Sequence, residues 1–348
     1  MSATAPRVSA TLPRLRRILW LVAPPALFLA VLLRIADLSA LRAVLISTAP
    51  RWLLAAAFLA GAFAVNQGAL YQGVFAVLGE EIVLSHAVSL SLVMAFGSLA
   101  LPAGTASGIA YFVSAARERG IASSRALLAA FAYYVFEYAA LLPVLLIGMA
   151  VLHLHHDLAP ASLGALTLFY VIALGAAGLM VWEVIRPETV AHRLTVAAAW
   201  LRRTLRGMDG LLRAPAVARF AGEIQAVLIL ARRHPARAVR PLLHAALLQA
   251  IALGLLDAVF AALDYRLAPA VLVAGYAVGT MFMLVSITPS GVGIVEGAMT
   301  VTFTSLGVPL ETAASATVLF RLYTFWLPML AGFLTLRLVR PAQVPPAP

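Results

Sequence analysis

The sequence contains no cysteine and no lysine, and charged residues make up only 11% of its 348 positions. The lack of cysteine excludes disulfides, thiolate metal sites and cysteine nucleophiles. Hydrophobic residues make up 63% of the chain, against about 45–50% in an ordinary soluble domain, so the composition predicts an integral membrane protein. All 25 basic residues are arginines. They lie mostly outside the apolar runs, where arginine sets orientation in the membrane, so the net charge of +11 does not indicate binding to nucleic acid.

Apolar runs near the length that spans a bilayer predict the helices of this protein. They cover residues 18–33, 52–78, 124–151, 163–185, 241–263 and 312–336. Two further runs, residues 84–116 and 268–306, are broken near their middle by the sequences LPAG and TPSG. We therefore predict an all-α polytopic membrane protein, a single membrane domain over residues 1–348, with about eight transmembrane or re-entrant segments.

The two broken runs share one spacing of proline and glycine. Pro102 and Gly104 in the first run correspond to Pro289 and Gly291 in the second, at an offset of 187 residues. In each run another glycine follows the proline after 18 residues. This agreement predicts an internal duplication.

The placement of arginine predicts that the two copies are inverted. The arginines before the first span, within residues 117–125 and 186–240, and after the last span are all expected on the cytoplasmic side. The first repeat, residues 52–151, then has the opposite orientation to the second repeat, residues 241–338. Inverted repeats with broken helices are typical of transporters, with the substrate site near the membrane midplane. We expect a multi-pass protein of the inner membrane with both termini in the cytoplasm.

The segment 186–240 carries eleven arginines and a hydrophobic face at helical spacing. This pattern predicts basic amphipathic helices on the inner leaflet. A solvated loop that only satisfies the charge rule is the alternative.

The stretch TPSGVGIVEGA holds the residues least suited to a membrane. Thr288 or Ser290 can cap a helix whose start Pro289 allows, with Gly291 and Gly293 leaving backbone N–H groups accessible to an anion. We therefore expect a re-entrant tip with an anion site. The alternative is a simple turn between two short helices.

The corresponding tip of the first copy contains Pro102 and Gly104. Gly104 and Gly108 have the same four-residue spacing as Gly293 and Gly297. Small residues at this spacing let helices pack closely in a membrane, so we expect close packing at both pairs.

Glu137, Glu296 and Arg321 are predicted to lie deepest in the membrane. A charge at the centre of a bilayer costs about 2.5–3.5 kcal/mol on insertion scales, so such residues usually face a cavity or a partner. Arg321 is expected to pair with Glu137 or with Glu296. The pair can hold the two copies together, and it can also open for a lipid phosphate.

Other polar residues in the spans are candidates for the wall of a cavity or for interhelical hydrogen bonds. They are Asn66, Gln67, Tyr71, Gln72 and Gln249, together with Tyr134 among the aromatic residues around Glu137. The sequence HLHHD at 153–157 lacks an assembled set of metal ligands, so we predict no metal and no cofactor. The sequence has no nucleophile elbow, HExxH or phosphate loop.

TPSGVGIVEGA and the following SLGVPLETAASATVLFRLYTFWLPMLAGFLTLR resemble the closing region of the lysylphosphatidylglycerol synthase transmembrane family. The residues that carry the resemblance are Pro289, Gly291, Gly293, Glu296, Gly307, Pro309, Arg321 and Pro328. The resemblance implies an inner-membrane domain that moves lipids between leaflets, including aminoacylated phosphatidylglycerol. Many relatives carry an arginine in the span where this chain has Glu137. The chain ends ten residues after the last span, so we expect no aminoacyltransferase domain and no aminoacylation activity.

We therefore expect a lipid translocator or lipid-binding transporter that acts on anionic or modified phospholipids. Arg321 and the helix start at Pro289 are expected to engage the headgroup, while Glu296 and Glu137 gate the site or contact a cation. One alternative is an intramembrane transferase that acts on a lipid-linked sugar or a phospholipid headgroup. Another is an accessory subunit of an envelope machine. The sequence leaves a homo-oligomer open.

Overall fold

The computed structural model describes residues 49–100, 104–155, 186–204, 235–286 and 291–338, with isolated positions in 175–185 and 205–234. All regular structure within these residues is helical. The expected all-α membrane fold is therefore confirmed. The expected spans 18–33 and 163–185 lie outside the described residues, apart from single positions in the second.

The described helices, numbered along the chain, follow the predicted runs closely. They are α1 (Pro50–Val77), α2 (Leu84–Ala100), α3 (Thr105–Arg117), α4 (Ser123–His155), α5 (Val190–Thr204), α6 (Pro235–Ala262), α7 (Pro269–Val285), α8 (Ile294–Ser305), α9 (Leu310–Arg321) and α10 (Leu327–Leu338). A π-helical turn, Leu322–Trp326, joins α9 to α10. By length and composition α1, α4, α6 and the α9–α10 helix can each cross a membrane.

Each broken run forms a helical hairpin, and glycines at equivalent positions make its turns. Gly104 precedes α3 with a φ of 54°, and Gly291 lies at the equivalent position before α8 with a φ of 71°. The glycines that end the two hairpins, Gly120 and Gly307, also have positive φ, at 81° and 89°. Glycine adopts this left-handed conformation without a steric penalty. Glycine therefore recurs at the offset of 187 residues because both hairpins have a positive φ at these positions.

Contacts between helices have the arrangement that two inverted copies require. At the same offset, α1 corresponds to α6, and these two helices pack against each other. They are antiparallel, because Gly73 near the end of α1 lies against Pro241 near the start of α6, while Leu59 approaches Gly254. The other contacts are reciprocal: α4 packs on α7, and α10 packs on α2. The first copy below means α1–α4, and the second copy means α6–α10.

The close packing expected at Gly293 and Gly297 involves none of the described residues. A side chain added at either glycine would meet no atom within 4 Å elsewhere in the described chain. The first copy does pack closely, since a Cβ at Gly97 would lie 2.7 Å from the Cα of Gly108. In the second copy the close approach uses α7 instead, where Gly279 leaves space for Met299 of α8.

The described part of the basic segment 186–240 contains α5, which exposes Trp200 and Val196. The guanidinium groups of Arg186 and Arg193 lie 5.1 and 5.8 Å from the ring centroid of Trp182. The segment is therefore helical where it is described. Its location on the inner leaflet stays a prediction.

Candidate functional site

A cavity of about 570 Å³ lies between the first and second copies. Its wall combines α1, α2, α3 and α4 of the first copy with α6, α7, α8 and the α9–α10 helix of the second. This volume falls within the range of about 300–1,000 Å³ that is usual for small-molecule sites. Transporters with inverted repeats bind their substrate where the repeats meet, and the use of this cavity by a substrate stays a prediction.

The wall is amphipathic. Its polar side chains include Gln67, Tyr71, Ser91, Ser98, Thr105, Tyr133, Tyr134, Glu137, Tyr138, Gln249, Tyr276, Thr280, Arg321 and Thr324. Phe63, Leu92, Leu141 and Phe320 are among the apolar ones. Three wall residues, Tyr138, Met283 and Leu284, are 40–43% exposed, so the wall also forms part of the outer surface.

Arg321 is positioned by a carboxylate and an aromatic ring. Its Nε donates a hydrogen bond of 2.7 Å to Oε1 of Glu296, and its Cζ lies 4.5 Å from the centroid of the Phe325 ring. Arg321 is the last residue of α9, and the π-helical turn begins directly after it. A π-turn inside a helix is common at functional sites. Here it places Arg321 and Phe325 together at the cavity wall.

Glu296 also caps its own helix. Gly293 is the N-cap of α8, and its backbone N–H donates a 2.6 Å hydrogen bond to Oε2 of Glu296. A carboxylate in the first turn is favourable because it faces the positive end of the helix dipole. Glu296 therefore uses one oxygen for the helix start and the other for Arg321.

This arrangement decides between the two predicted partners of Arg321. The partner is Glu296 and not Glu137. Both residues of the pair belong to the second copy, so the expectation that this pair holds the two copies together is wrong. The pair instead joins α8 to α9.

Glu137 lies in the opposite wall, on α4. In the described part of the chain it has no ion-pair partner. Its carboxylate interacts with the hydroxyl of Tyr133, which accepts a 2.9 Å hydrogen bond from Nε2 of Gln67. Tyr71, Tyr134, Tyr138 and Tyr276 line the same cavity as Glu137.

Tyr71, Tyr133, Tyr134 and Tyr138 form a chain of ring contacts in the cavity wall. The rings of Tyr71 and Tyr133 stack with centroids 4.3 Å apart, and Tyr133 meets Tyr134 edge to face at 5.3 Å. Tyr134 lies 5.6 Å from Tyr138. Tyr71 is almost fully buried, and its hydroxyl has no hydrogen-bond partner among the described residues.

The structure places the other predicted residues as follows. Gly104 and Tyr134 line the cavity, whereas Gly291 and Gly293 lie at the turn before α8 and are not part of the wall. Pro102, Thr288, Pro289 and Ser290 lie outside the described residues. The predicted anion site at the start of a helix at Pro289 thus stays a prediction, and the described helix begins at Ile294.

Asn66 does not line the cavity. Its Nδ2 donates to the carbonyl of His244 at 2.8 Å, and its Oδ1 lies 2.7 Å from Nδ1 of the same histidine. Asn66 therefore joins α1 to α6. Gln72 bonds to Ile82 and Arg240 and is likewise structural.

Tyr276 and Thr280 line the cavity from α7 but were not among the residues expected there. The hydroxyl of Tyr276 donates to Oε1 of Gln249 at 2.9 Å. The sequence feature that could have identified them is their four-residue spacing in an otherwise apolar run, because this spacing places both residues on one helix face.

A comparison with protein families gives one match, to the family described as the lysylphosphatidylglycerol synthase TM region, over residues 18–332. These residues include every residue of the cavity wall. A search of curated proteins finds no match.

Proposed function

The chain belongs to the lysylphosphatidylglycerol synthase TM-region family, and from this premise we propose that it moves phospholipids between the leaflets of the inner membrane. The family links the protein to phospholipid modification or transport. The observation that carries the choice of transport is the cavity between the two inverted copies. In transporters built this way, the substrate binds where the copies meet and the copies move around it.

The shape and composition of the cavity suit a lipid headgroup. Polar and charged side chains line the interior, while the wall residues Met283 and Leu284 are exposed apolar side chains. A headgroup can enter such a cavity while its acyl chains stay in the surrounding lipid. Free diffusion of a headgroup across the apolar core is slow because its polar groups lose their hydration.

We assign the headgroup phosphate to the Arg321 side of the cavity. Arg321 lines the wall, and its hydrogen bond to Glu296 and its contact with Phe325 fix its orientation. Arginine forms strong charge-assisted hydrogen bonds to phosphate. Glu296 balances the charge of Arg321 when no phosphate is bound.

Filling the cavity tests this function without changing any charge. Ala64 lines the cavity, whereas Ala57 is exposed on the same helix, α1. The indole of Ala64→Trp would take up volume that the headgroup needs, so this variant should slow lipid exchange by about tenfold, which corresponds to about 1.4 kcal/mol of added barrier. Ala57→Trp is the matched control and should exchange lipid like the wild type. The measurement is the leaflet exchange of fluorescent phospholipids in reconstituted vesicles.

Two results would contradict the proposal. One is wild-type vesicles that exchange lipid no faster than protein-free vesicles. The other is an Ala64→Trp rate equal to that of Ala57→Trp. Extraction of the lipids from the same vesicles tests the transferase alternative, because a transferase would leave a new lipid species.

A further inference from the structure

Among the described residues, the cavity wall contains one carboxylate and one guanidinium. Arg321, on the second copy, is paired with Glu296 at 2.7 Å. Glu137 lies near the middle of α4 on the first copy and has no ion-pair partner in the described chain. Unlike a guanidinium, a carboxyl group can take up a proton and become neutral. Carboxylates inside the membranes of pumps and transporters serve as proton relays.

The other titratable groups that the described structure places in this wall, apart from Arg321, are all tyrosines. Tyr71 comes from α1 and Tyr276 from α7, while Tyr133, Tyr134 and Tyr138 come from α4 itself. The helices α3 and α6 also pack on α4, and they contribute no titratable side chain to the described wall. Tyrosine hydroxyls are neutral at physiological pH, and arginine stays charged. Glu137 is therefore the candidate for gaining and losing a proton in this wall.

The neighbouring hydroxyls can serve both charge states of Glu137. The carboxylate interacts with the Tyr133 hydroxyl, which accepts a 2.9 Å hydrogen bond from Nε2 of Gln67 and keeps its own hydrogen for the carboxylate. The Tyr71 ring stacks on Tyr133 with centroids 4.3 Å apart, and its buried hydroxyl has no partner among the described residues. Because a hydroxyl both donates and accepts, this wall can hold Glu137 with or without a proton.

A phosphate at Arg321 and a proton at Glu137 should favour each other's binding. Without a ligand, Glu137 and Glu296 against Arg321 leave one net negative charge. The phosphate of a phospholipid diester adds a second. Charges in a cavity away from bulk water repel strongly, because they are weakly screened there. A proton on Glu137 removes one negative charge, so the phosphate binds more tightly, and by linkage the bound phosphate also strengthens proton binding.

We propose that Glu137 binds a proton together with the headgroup phosphate and so couples lipid movement to proton movement. The proton comes from water on the side where the headgroup enters and forms an O–H bond with one oxygen of the carboxylate. It returns to water on the side where the headgroup leaves. A phospholipid with one negative charge then crosses together with its proton, and no net charge moves. The proposal rests on the proposed function, since Arg321 in the same cavity takes the phosphate.

Binding of short-chain phosphatidylglycerol to the full chain in detergent tests the proton site separately from transport. Calorimetry would compare the affinity at about pH 5.5 and at about pH 8, an interval around neutral pH. We expect phosphatidylglycerol to bind about tenfold more tightly at the acid end, which is within the usual range of coupling between two sites. Calorimetry in two buffers of different ionisation enthalpy should also record protons that are taken up with the lipid.

Glu137→Gln keeps the shape of the protonated side chain and has no proton to lose. At both pH values it should bind phosphatidylglycerol about as tightly as the wild type does at acid pH, which also shows that the variant is folded. His244→Gln is the matched control, because histidine titrates in the same interval. His244 bonds to Asn66 and does not line the cavity, so the pH dependence should survive in this variant.

A pH gradient across reconstituted vesicles tests the coupling itself. Potassium with valinomycin removes the membrane potential. Wild-type protein should then enrich labelled phosphatidylglycerol in the leaflet that faces the alkaline side, because the lipid moves with the proton. One proton per lipid limits this enrichment, relative to protein-free vesicles, to about tenfold per pH unit. Glu137→Gln should lose the enrichment.

Several results would overturn the proposal. They are equal phosphatidylglycerol binding by the wild type at both pH values, an unchanged pH dependence in Glu137→Gln, and loss of the pH dependence in His244→Gln. Enrichment that follows a sodium gradient instead of the pH gradient would also overturn it. Leaflet exchange that a pH gradient does not bias would contradict the coupling and leave the proposed function standing. Proton uptake on binding without any leaflet exchange would leave the proton site standing and contradict only the transport function.

Discussion

Glu296 accepts hydrogen bonds from two donors at once, and these bonds offset part of the cost of placing two charges in an apolar segment. One oxygen accepts from Nε of Arg321, and the other accepts from the backbone N–H of Gly293. The guanidinium also lies against the ring of Phe325. A buried ion pair offsets its desolvation only when further hydrogen bonds satisfy its remaining polar atoms. The two oxygens of Glu296 meet this condition.

Removing one member of this pair should destabilise the protein more than removing both. Loss of one partner of a buried pair costs about 3–5 kcal/mol because the other charge is left uncompensated. The Glu296 side chain is 18% exposed, so we expect the lower end of that range for Arg321→Gln and for Glu296→Gln. The double variant should recover part of the loss, although α8 would still lack its carboxylate cap. Thermal unfolding in detergent, analysed as a double-mutant cycle, measures the coupling.

The ion pair between Arg125 and Glu80 is the matched control. Its N–O distance is the same 2.7 Å, but its side chains are 47% and 32% exposed. Exposed pairs contribute about 0–1 kcal/mol, so Glu80→Gln should scarcely change the melting temperature. If Glu80→Gln and Glu296→Gln lowered the melting temperature equally, burial would not explain the contribution of the pair between Arg321 and Glu296.

The sequence predicts which charges lie in the membrane but not which of them pair. Glu137, Glu296 and Arg321 all stand out from their apolar runs, so their functional interest follows from hydropathy alone. The choice of Glu296 depends on how α8 and α9 meet across the turn at Gly307, and on the π-turn after Arg321. Neither the packing of α8 on α9 nor the π-turn can be recognised from the periodicity of hydrophobic residues. The tyrosines that line the cavity with Glu137 likewise come from three separate helices, α1, α4 and α7.

At the scale of the helices, glycine decides how closely the two arms of a hairpin approach. The positive φ of Gly104 and Gly291 could be predicted from the repeated proline and glycine spacing, because only glycine adopts this conformation freely. Gly297, by contrast, meets no other helix among the described residues. A four-residue spacing places two glycines on one helix face, but it does not state whether another helix lies opposite that face.

Two glycine substitutions should therefore have opposite outcomes. A Cβ at Gly97 would come within 2.7 Å of the Gly108 backbone, whereas a Cβ at Gly61 would meet nothing within 4 Å in the described structure. Gly97→Ala must push α2 and α3 apart, with a loss of about 1–3 kcal/mol. Gly61→Ala adds a better helix former to α1 and should leave the melting temperature unchanged or slightly raised. A similar loss in both variants would show that close packing at Gly97 is not the cause.

At the scale of the whole molecule, the two copies exchange equivalent contacts, and this makes the cavity a shared structure. The last helix of each copy packs on the first helix of the other copy's hairpin, as α4 packs on α7 and α10 packs on α2. The antiparallel contact of α1 with α6 agrees with the predicted inversion of the two copies. The arginines at the two ends then suggest an orientation. Arg119, Arg125 and Arg240 gather at the end where α1 finishes, and the positive-inside rule favours the cytoplasm for that end.

Single cysteines can test this orientation directly, because the natural chain has none. Glu81 and Ala122 are exposed at the end where α1 finishes, and Ala268 and Glu311 are exposed in the turns that precede or begin α7 and α9 at the opposite end. A membrane-impermeant maleimide added to intact spheroplasts should label Ala268→Cys and Glu311→Cys. It should label Glu81→Cys and Ala122→Cys only after the membrane is opened. Labelling of Ala122→Cys and Glu311→Cys from the same side would contradict the inverted arrangement, since the α4 and α9 starts are equivalent positions of the two copies. The antiparallel contacts and a cytoplasmic basic end together require one pattern. Ala268→Cys and Glu311→Cys are labelled in intact spheroplasts, and Glu81→Cys and Ala122→Cys are labelled only after the membrane is opened.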